Sequence, residues 1–367
     1  MSEILQRARM KMAERALDVV VASSPENVAY LGGIAPPSQR IVRSRHAFFV
    51  LPMEGPTYYV VIELEAGVVR ERARADEFRV YQEFVEDPVD VVAEVLRELD
   101  LLEESVGLET THLSSRDVDR FRSMLPGGSI VEVDELLLGL RLRKTKDEIA
   151  TIRRIAEVAE GAAHQVAGEF EPGASERALG NRITELYSDG GGDALTMLVV
   201  GSGPRSAEPN APPTARPITA GEVIRIDVIG TKDNYYSDVA RTVVAGEPTD
   251  EHKNIWRILR DVRDRAIDAL RPGALTSDVF RLYGDAMEEA GLPSYHFLGH
   301  GLGVTLHEEP FLSSLHDTRL EPGMVMCVEP MCLIPGRFGL QLEDEVLITS
   351  DGAEPLTNGG PLLRLGG

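Results

Sequence analysis

Two stretches of the chain concentrate side chains that hold metal ions or move protons. In "HFLGHGLGVTLHEEP", residues 296–310, His296, His300 and His307 are three of the chain's eight histidines, and glycines separate them. In "GEVIRIDVIGTKDNYYSDVARTVVAG", residues 221–246, Asp227 and Asp238 interrupt apolar runs. Ile224, Ile226 and Val228 alternate on one face of a strand, which turns Asp227 to the other. A tight turn at Lys232-Asp233 would close a hairpin in which Asp227 and Asp238 stand directly opposite each other. Opposed side chains have Cβ atoms about 4.5–5.5 Å apart, and like charges there repel, so this register calls for a cation between them. The alternative is a solvated hairpin in another register, in which the two acids never meet.

Two further acids sit where charge is costly. Glu329 lies in "MVMCVEP" and Glu343 in "GLQLEDEVLIT", both among apolar residues. Charged side chains are almost never fully buried unless paired or bound to metal. His300 adds a neutral nitrogen between Gly299 and Gly301, which let the backbone approach closely. Four carboxylates and one imidazole suit two hard or borderline divalent ions per chain: Mn²⁺ or Co²⁺ first, with Zn²⁺ or Fe²⁺ also compatible. Two such ions roughly 3.5–4 Å apart share a water, lower its pKa and polarise a carbonyl.

The elements that must position these residues fall into two domains within the 367 residues. Residues 17–22, 47–52, 57–62 and 105–109 read as short strands, and 87–99 and 114–124 have helical apolar spacing. That order predicts an α/β domain with a partly parallel sheet over residues 1–139. The basic joint "LRLRKTKDE" follows, and Thr145 with Glu148 forms a capping box that opens a long helix. The second domain, residues 140–367, reads as helices 146–170 and 175–189, a strand at 194–200, a Pro-rich segment and the Asp227–Asp238 strand pair. Helices 250–271 and 275–290 come next, and two or three strands close the chain.

A formal charge of −22 argues against nucleic acid or an anionic membrane as partner. No run approaches the roughly 18 apolar residues of a membrane span, and the N-terminus reads as an amphipathic helix, not a signal peptide. The cytoplasm is the expected location. Cys327 and Cys332, the only two cysteines, read as core thiols. Residues 34–46, "IAPPSQRIVRSRH", read as an exposed basic loop.

The strings "GHGLGVTLHEEP", "YYSDVART", "VEP" and "LEDEVLIT" resemble the pita-bread metallohydrolases: methionine aminopeptidases, aminopeptidase P, prolidase and the metal-free relative creatinase. The resemblance covers about residues 140–360, and the separations of eleven from Asp227 to Asp238 and seven from His300 to His307 carry it. "LDVVVASSPENVAYLGG" resembles the extra N-terminal domain of the prolidase, aminopeptidase P and creatinase branch. The resemblance implies a curved, mainly antiparallel catalytic sheet and a dinuclear site of Asp227, Asp238, His300, Glu329 and Glu343. It also implies Asp238 and Glu343 as bridging ligands, and a homodimer. Two departures stand out. Prolidases carry His where this chain has Asn210, and Arg where it has Gln341.

The leading expectation is therefore hydrolysis of the amide bond N-terminal to proline in short peptides, by a hydroxide bridging two divalent metals. Glu329 would take the water's proton, and His296 and His307 would hydrogen-bond the substrate and the tetrahedral intermediate. The alternative keeps the metals and takes a small non-peptide C–N amide, as in ectoine hydrolase-like or creatinase-like relatives; Asn210 and Gln341 are its support. A non-catalytic binding module conflicts with the intact ligand set. His46, His112, His164, His252 and His316 read as ordinary core or surface residues. Tyr235 and Tyr236 read as strand packing, and Arg241 as a partner of a neighbouring carboxylate.

Overall fold

The computed structural model describes residues 2–125 and 127–366. The chain divides into two compact units, Met1–Arg141 and Leu142–Gly367. Among the described residues no helix is long and apolar enough to cross a membrane.

The N-terminal unit holds β1 (Val19–Ala22), β2 (Phe48–Pro52), β3 (Tyr58–Ile62), β4 (Glu77–Tyr81), β5 (Ser105–Leu108) and β6 (Ser129–Glu132). Its helices are α1 (Glu3–Glu14), α2 (Pro25–Gly32), α3 (Ala66–Arg72), α4 (Pro88–Glu98), α5 (Ser115–Met124) and α6 (Asp134–Leu142). The six strands form one sheet in the order β4-β3-β2-β1-β5-β6. β3/β4, β1/β5 and β5/β6 are parallel, and β1/β2 and β2/β3 antiparallel, so the sheet is partly parallel as expected. Its central strands are buried throughout, whereas β4 and β6 are half exposed. α2 begins where Ser24 caps Asn27, and the buried Glu109 carboxylate accepts from the N–H groups of Ser23 and Ser24, each at 2.8 Å. An acid at this end satisfies donors that the helix leaves open.

The expected basic loop is a short 3₁₀ turn, Pro37–Arg40, and the segment after it. Two of its cations are already paired. Arg45 makes a bidentate contact with Glu83 at 2.8 and 2.9 Å, and Arg40 meets Glu26 at 3.1 Å.

The C-terminal unit opens with α7 (Lys146–Glu169), α8 (Glu176–Asp189), β7 (Ala194–Ser202), β8 (Val223–Lys232), β9 (Tyr235–Val244), α9 (Asp250–Ala269) and α10 (Thr276–Glu289). The rest is β-rich: β10 (Phe297–Gly301), β11 (Glu308–Ser313), β12 (Val325–Val328), β13 (Met331–Ile334), β14 (Phe338–Gln341), β15 (Asp344–Ile348), β16 (Ala353–Pro355) and β17 (Leu363–Arg364). α7 carries the capping box of Thr145 and Glu148. One sheet runs β17-β9-β8-β7 and another β11-β10-β12-β15-β16, while β13 and β14 form a separate ribbon; among the described residues only the β17/β9 strand pair of this unit is parallel.

Each large sheet has one face buried under a helix pair. Ile155 and Ala159 of α7 and Ile183 and Tyr187 of α8 pack on Ile224, Ile226, Val228 and Val239. Leu259 and Val262 of α9 and Val279, Tyr283 and Met287 of α10 pack on Leu298, Met326, Val328 and Val346. Each Val, Leu, Ile or Met among them contributes about 1.5–3 kcal/mol when fully buried. Side chains alternate along a strand, so the opposite faces are left for the polar residues.

Candidate metal centre

The β8–β9 hairpin turns at Asp233-Asn234, both with positive φ (49° and 71°), not at Lys232-Asp233. Two consecutive left-handed residues make the turn type that matches strand twist, and Asp and Asn tolerate that conformation. The register shifts with it. Asp227 stands opposite Ala240, and Asp238 opposite Ile229, so the expected direct opposition does not occur. Because the register moves both pairings together, the two acids remain on one face as diagonal neighbours. Their carboxyls interact directly, and among the described residues neither Oδ1 has a hydrogen-bond partner.

The second sheet supplies the rest. His300 on β10 pairs with Cys327 on β12, which pairs with Glu345 on β15, so the three side chains leave the same face. Glu329 and Glu343 lie two residues from Cys327 and Glu345 and share that face by alternation. Close approach needs glycine. A Cβ on Gly299 would fall 2.0 Å from the Cys327 carbonyl oxygen, and one on Gly301 would fall 2.4 Å from that of Glu309.

The two faces bring Asp227, Asp238, His300, Glu329 and Glu343 together. His300 Nε2 lies 3.7 Å from Asp238 Oδ2 and 3.4 Å from Glu329 Oε1. His300 Nδ1 is 2.9 Å from the Gly301 carbonyl oxygen. A carbonyl only accepts, so Nδ1 carries the hydrogen and Nε2 presents its lone pair to the carboxylates. Among the described residues, His300 Nε2, Asp227 Oδ1, Asp238 Oδ1 and Glu343 Oε1 are all buried without a hydrogen-bond partner. Unpaired buried atoms of this kind are costly. A divalent cation accepts lone pairs from all four, so the donor set fits one.

The electrostatics agree. Burial, and only then the neighbouring acids, holds the Asp238 and Glu343 carboxyls well above the usual carboxylate range. Asp227 is pushed up to about 6 by burial, against the pull of Arg225. His307, just before β11, stacks on His300 with ring centroids 3.8 Å apart while its other side is open. Partial desolvation, then His300, lowers it to about 4, so it is a neutral imidazole at neutral pH. His296 is exposed just before β10. Both line a cleft of about 460 Å³ with Phe297, Phe311, Leu315 and His316. His316, expected to be ordinary, lines the same cleft.

Several residues that spacing did not flag complete the arrangement. Arg225, 2% exposed, donates to Gln341 Oε1 at 2.7 Å and lies 3.8 Å from Asp227. Gln341 Nε2 reaches Glu329 at 3.3 Å and Glu343 at 3.4 Å. The glutamine thus couples a buried cation to two acids. Its signal was available: Arg225 shares a strand face with Asp227 in an apolar segment. Glu345, fully buried, accepts the Asp238 N–H at 2.8 Å. Lys144 and Glu308 form a buried pair at 3.3 Å beside the His307 loop.

Arg241, on the helix-covered face, contacts the carboxylates of Glu160 and Asp344 and donates to the Glu343 carbonyl oxygen at 2.6 Å. It fixes neighbouring carboxylates, as expected. Arg241→Met leaves the buried Glu160 without its cation and Asp344 with Arg263 alone, and a loss of about 3–5 kcal/mol in urea unfolding is expected. An unchanged midpoint would show that the network does not hold the sheets.

Comparison with known proteins follows the same division. Residues 150–350 match metallopeptidase family M24, and residues 4–143 match the creatinase/prolidase N-terminal domain. An Xaa-Pro dipeptidase from Pyrococcus furiosus is 30% identical over 360 residues, covering 97% of this chain and 98% of that protein. The structure of an Xaa-Pro dipeptidase from Bacillus anthracis superposes with a TM-score of 0.85 at 26% identity, covering 99% of both chains. That of an X-Pro aminopeptidase from Thermotoga maritima reaches 0.87 at 24% identity, over 98% of this chain and 99% of the other, and speaks for the fold.

Proposed function

The chain belongs to metallopeptidase family M24, and on that premise we propose that it hydrolyses the amide bond N-terminal to proline in short peptides. It is a metal-dependent enzyme of the Xaa-Pro peptidase type. Asp227, Asp238, His300, Glu329 and Glu343 would hold two divalent ions. The observation that carries this reading is the set of buried donor atoms with no hydrogen-bond partner among the described residues, contributed by two sheets to one place. When bound, divalent ions supply Lewis acidity, which acidifies water and polarises the scissile carbonyl.

The chain's own residues divide the remaining work. Glu329, buried beside His300, takes the proton that the attacking water loses. His307, neutral at working pH, donates its N–H to the carbonyl oxygen as that oxygen gains charge. His296, which lines the same cleft, hydrogen-bonds the substrate. Phe297, Phe311 and Leu315 give the cleft an apolar wall that suits a pyrrolidine ring.

The small-amide reading leaned on Asn210 and Gln341. Gln341 is engaged with Arg225, Glu329 and Glu343, so its identity is accounted for within the protein. Asn210 is exposed. Mn²⁺ or Co²⁺ as working ions follows from the oxygen-rich donor set. A homodimer, a cytoplasmic setting and the absence of nucleic-acid or membrane partners complete the proposal; strong negative charge and the family resemblance support them.

The test is a screen of Mn²⁺- and Co²⁺-loaded protein against Xaa-Pro dipeptides, longer Xaa-Pro peptides and cyclic amides. Cleavage of Xaa-Pro substrates is expected, with His307→Ala lowering kcat by about 10²–10³. Turnover of cyclic amides with none of Xaa-Pro peptides would replace the reading by its alternative.

A further inference from the structure

Of the two cysteines, only Cys332 fits the expectation of a thiol packed in the apolar core. Cys327, also fully buried, lies elsewhere. Its register partners are His300 on one side and Glu345 on the other, so its side chain leaves the polar face of the sheet. Its Sγ and one donor atom each of Asp238, His300 and Glu343 all lie within 4.8 Å of one another. Around that sulfur, Asp238 Oδ1, His300 Nε2 and Glu343 Oε1 are buried with no hydrogen-bond partner among the described residues. A hydrophobic thiol gains nothing from such neighbours, whereas a shared cation would satisfy all four groups.

The geometry points to Cys327 as a sulfur donor at the Asp238–His300–Glu343 part of the metal centre, making that part a mixed oxygen, nitrogen and sulfur site for thiophilic divalent ions. The inference rests on the metal-dependent reading above. Coordination requires only that the thiol release its proton to solvent as the ion enters, so no oxidant is involved. Soft thiolate donors favour ions such as Zn²⁺ and Cd²⁺, and carboxylates alone favour Mn²⁺ and Mg²⁺. A sulfur among the carboxylates therefore moves this site's preference towards Co²⁺, Zn²⁺ and Cd²⁺.

The full chain, stripped of metal, is titrated with Co²⁺ while bound cobalt is counted by elemental analysis. The expected result is a sulfur-to-cobalt charge-transfer absorption in the near ultraviolet. It should be kept in Cys332→Ser and lost in Cys327→Ser. In the same Cys327→Ser protein the preference for Cd²⁺ over Mn²⁺ should fall by about tenfold or more. If Cys327→Ser does not fold, the spectrum of the parent protein still decides. Cobalt bound without the absorption band, or a band that survives Cys327→Ser, overturns the sulfur donor and leaves the metal-dependent reading intact. No bound cobalt overturns both.

Discussion

Asp238→Ala is expected to lower kcat/KM for an Xaa-Pro dipeptide by about a thousandfold or more, and to leave the protein with fewer bound divalent ions. Asp238 faces His300 at 3.7 Å and is crowded by Asp227, so its carboxylate stands between donors from both sheets. Losing it would remove a carboxylate from the group of donor atoms that could hold an ion. Several kcal/mol of transition-state stabilisation depend on correctly placed ions, and about 4 kcal/mol corresponds to a thousandfold. The stability effect should have the opposite sign in metal-free protein. Asp238 is a buried acid crowded by Asp227, Glu329 and Glu345. Asp238→Asn, which keeps the shape, should raise the Tm of the stripped protein above that of the parent. Metal content by elemental analysis, dipeptide kinetics and the two melting curves check these outcomes together. Retention of most of the activity would contradict the assignment.

The gain in Tm on adding metal should grow as pH rises from about 5 to about 8. In the metal-free protein Asp227 titrates at about 6, and Asp238 and Glu343 well above the usual range. In the unfolded chain the same groups titrate near 4. Between those values the folded state binds more protons than the unfolded one, so its stability falls as pH rises. The contribution is fully present below about pH 4 and is lost as pH passes through the folded pKa values. A divalent ion binds the ionised carboxylates, so the loaded protein escapes this penalty and releases metal only as acid protonates the ligands. Melting curves of stripped and loaded protein across that range measure the effect. Parallel curves, with a gain independent of pH, would mean that these carboxyls do not hold the ion.

The strands and helices that the sequence revealed are those whose pattern is strong. β1, β2 and β3 are buried throughout, and α7 announces itself by its capping box. β4 and β6 escaped notice because they are the outer strands of their sheet and half exposed, with "EFRVY" and "SIVE" mixing charge into the apolar run. α2, with only eight residues, is too short to show a helical period. Closer to the site, charged residues in apolar segments identified Asp227, Asp238, Glu329 and Glu343, because burial of an acid needs a partner wherever the fold puts it.

Register was a different matter. Shifting the turn from Lys232-Asp233 to Asp233-Asn234 moved Asp227 from opposite Asp238 to opposite Ala240. Both turns read alike in the sequence, and the choice follows from strand twist. The two acids stayed on one face because the register moved by an even number of residues, and the side-chain period is two.

Other features depend on the meeting of distant segments. Arg225 and Gln341 are 116 residues apart, and Arg241 is 81 from Glu160 and 103 from Asp344. Nothing local to either end records such a contact. Cys327 shows the limit most plainly. Free cysteines are most often buried, and both cysteines of this chain are, so composition treats them alike. Strand alternation sends Cys332 into the apolar core and Cys327 to the face shared with His300 and Glu345. A residue's chemical type was legible along the chain, but the company it keeps was set by which faces of two sheets came together.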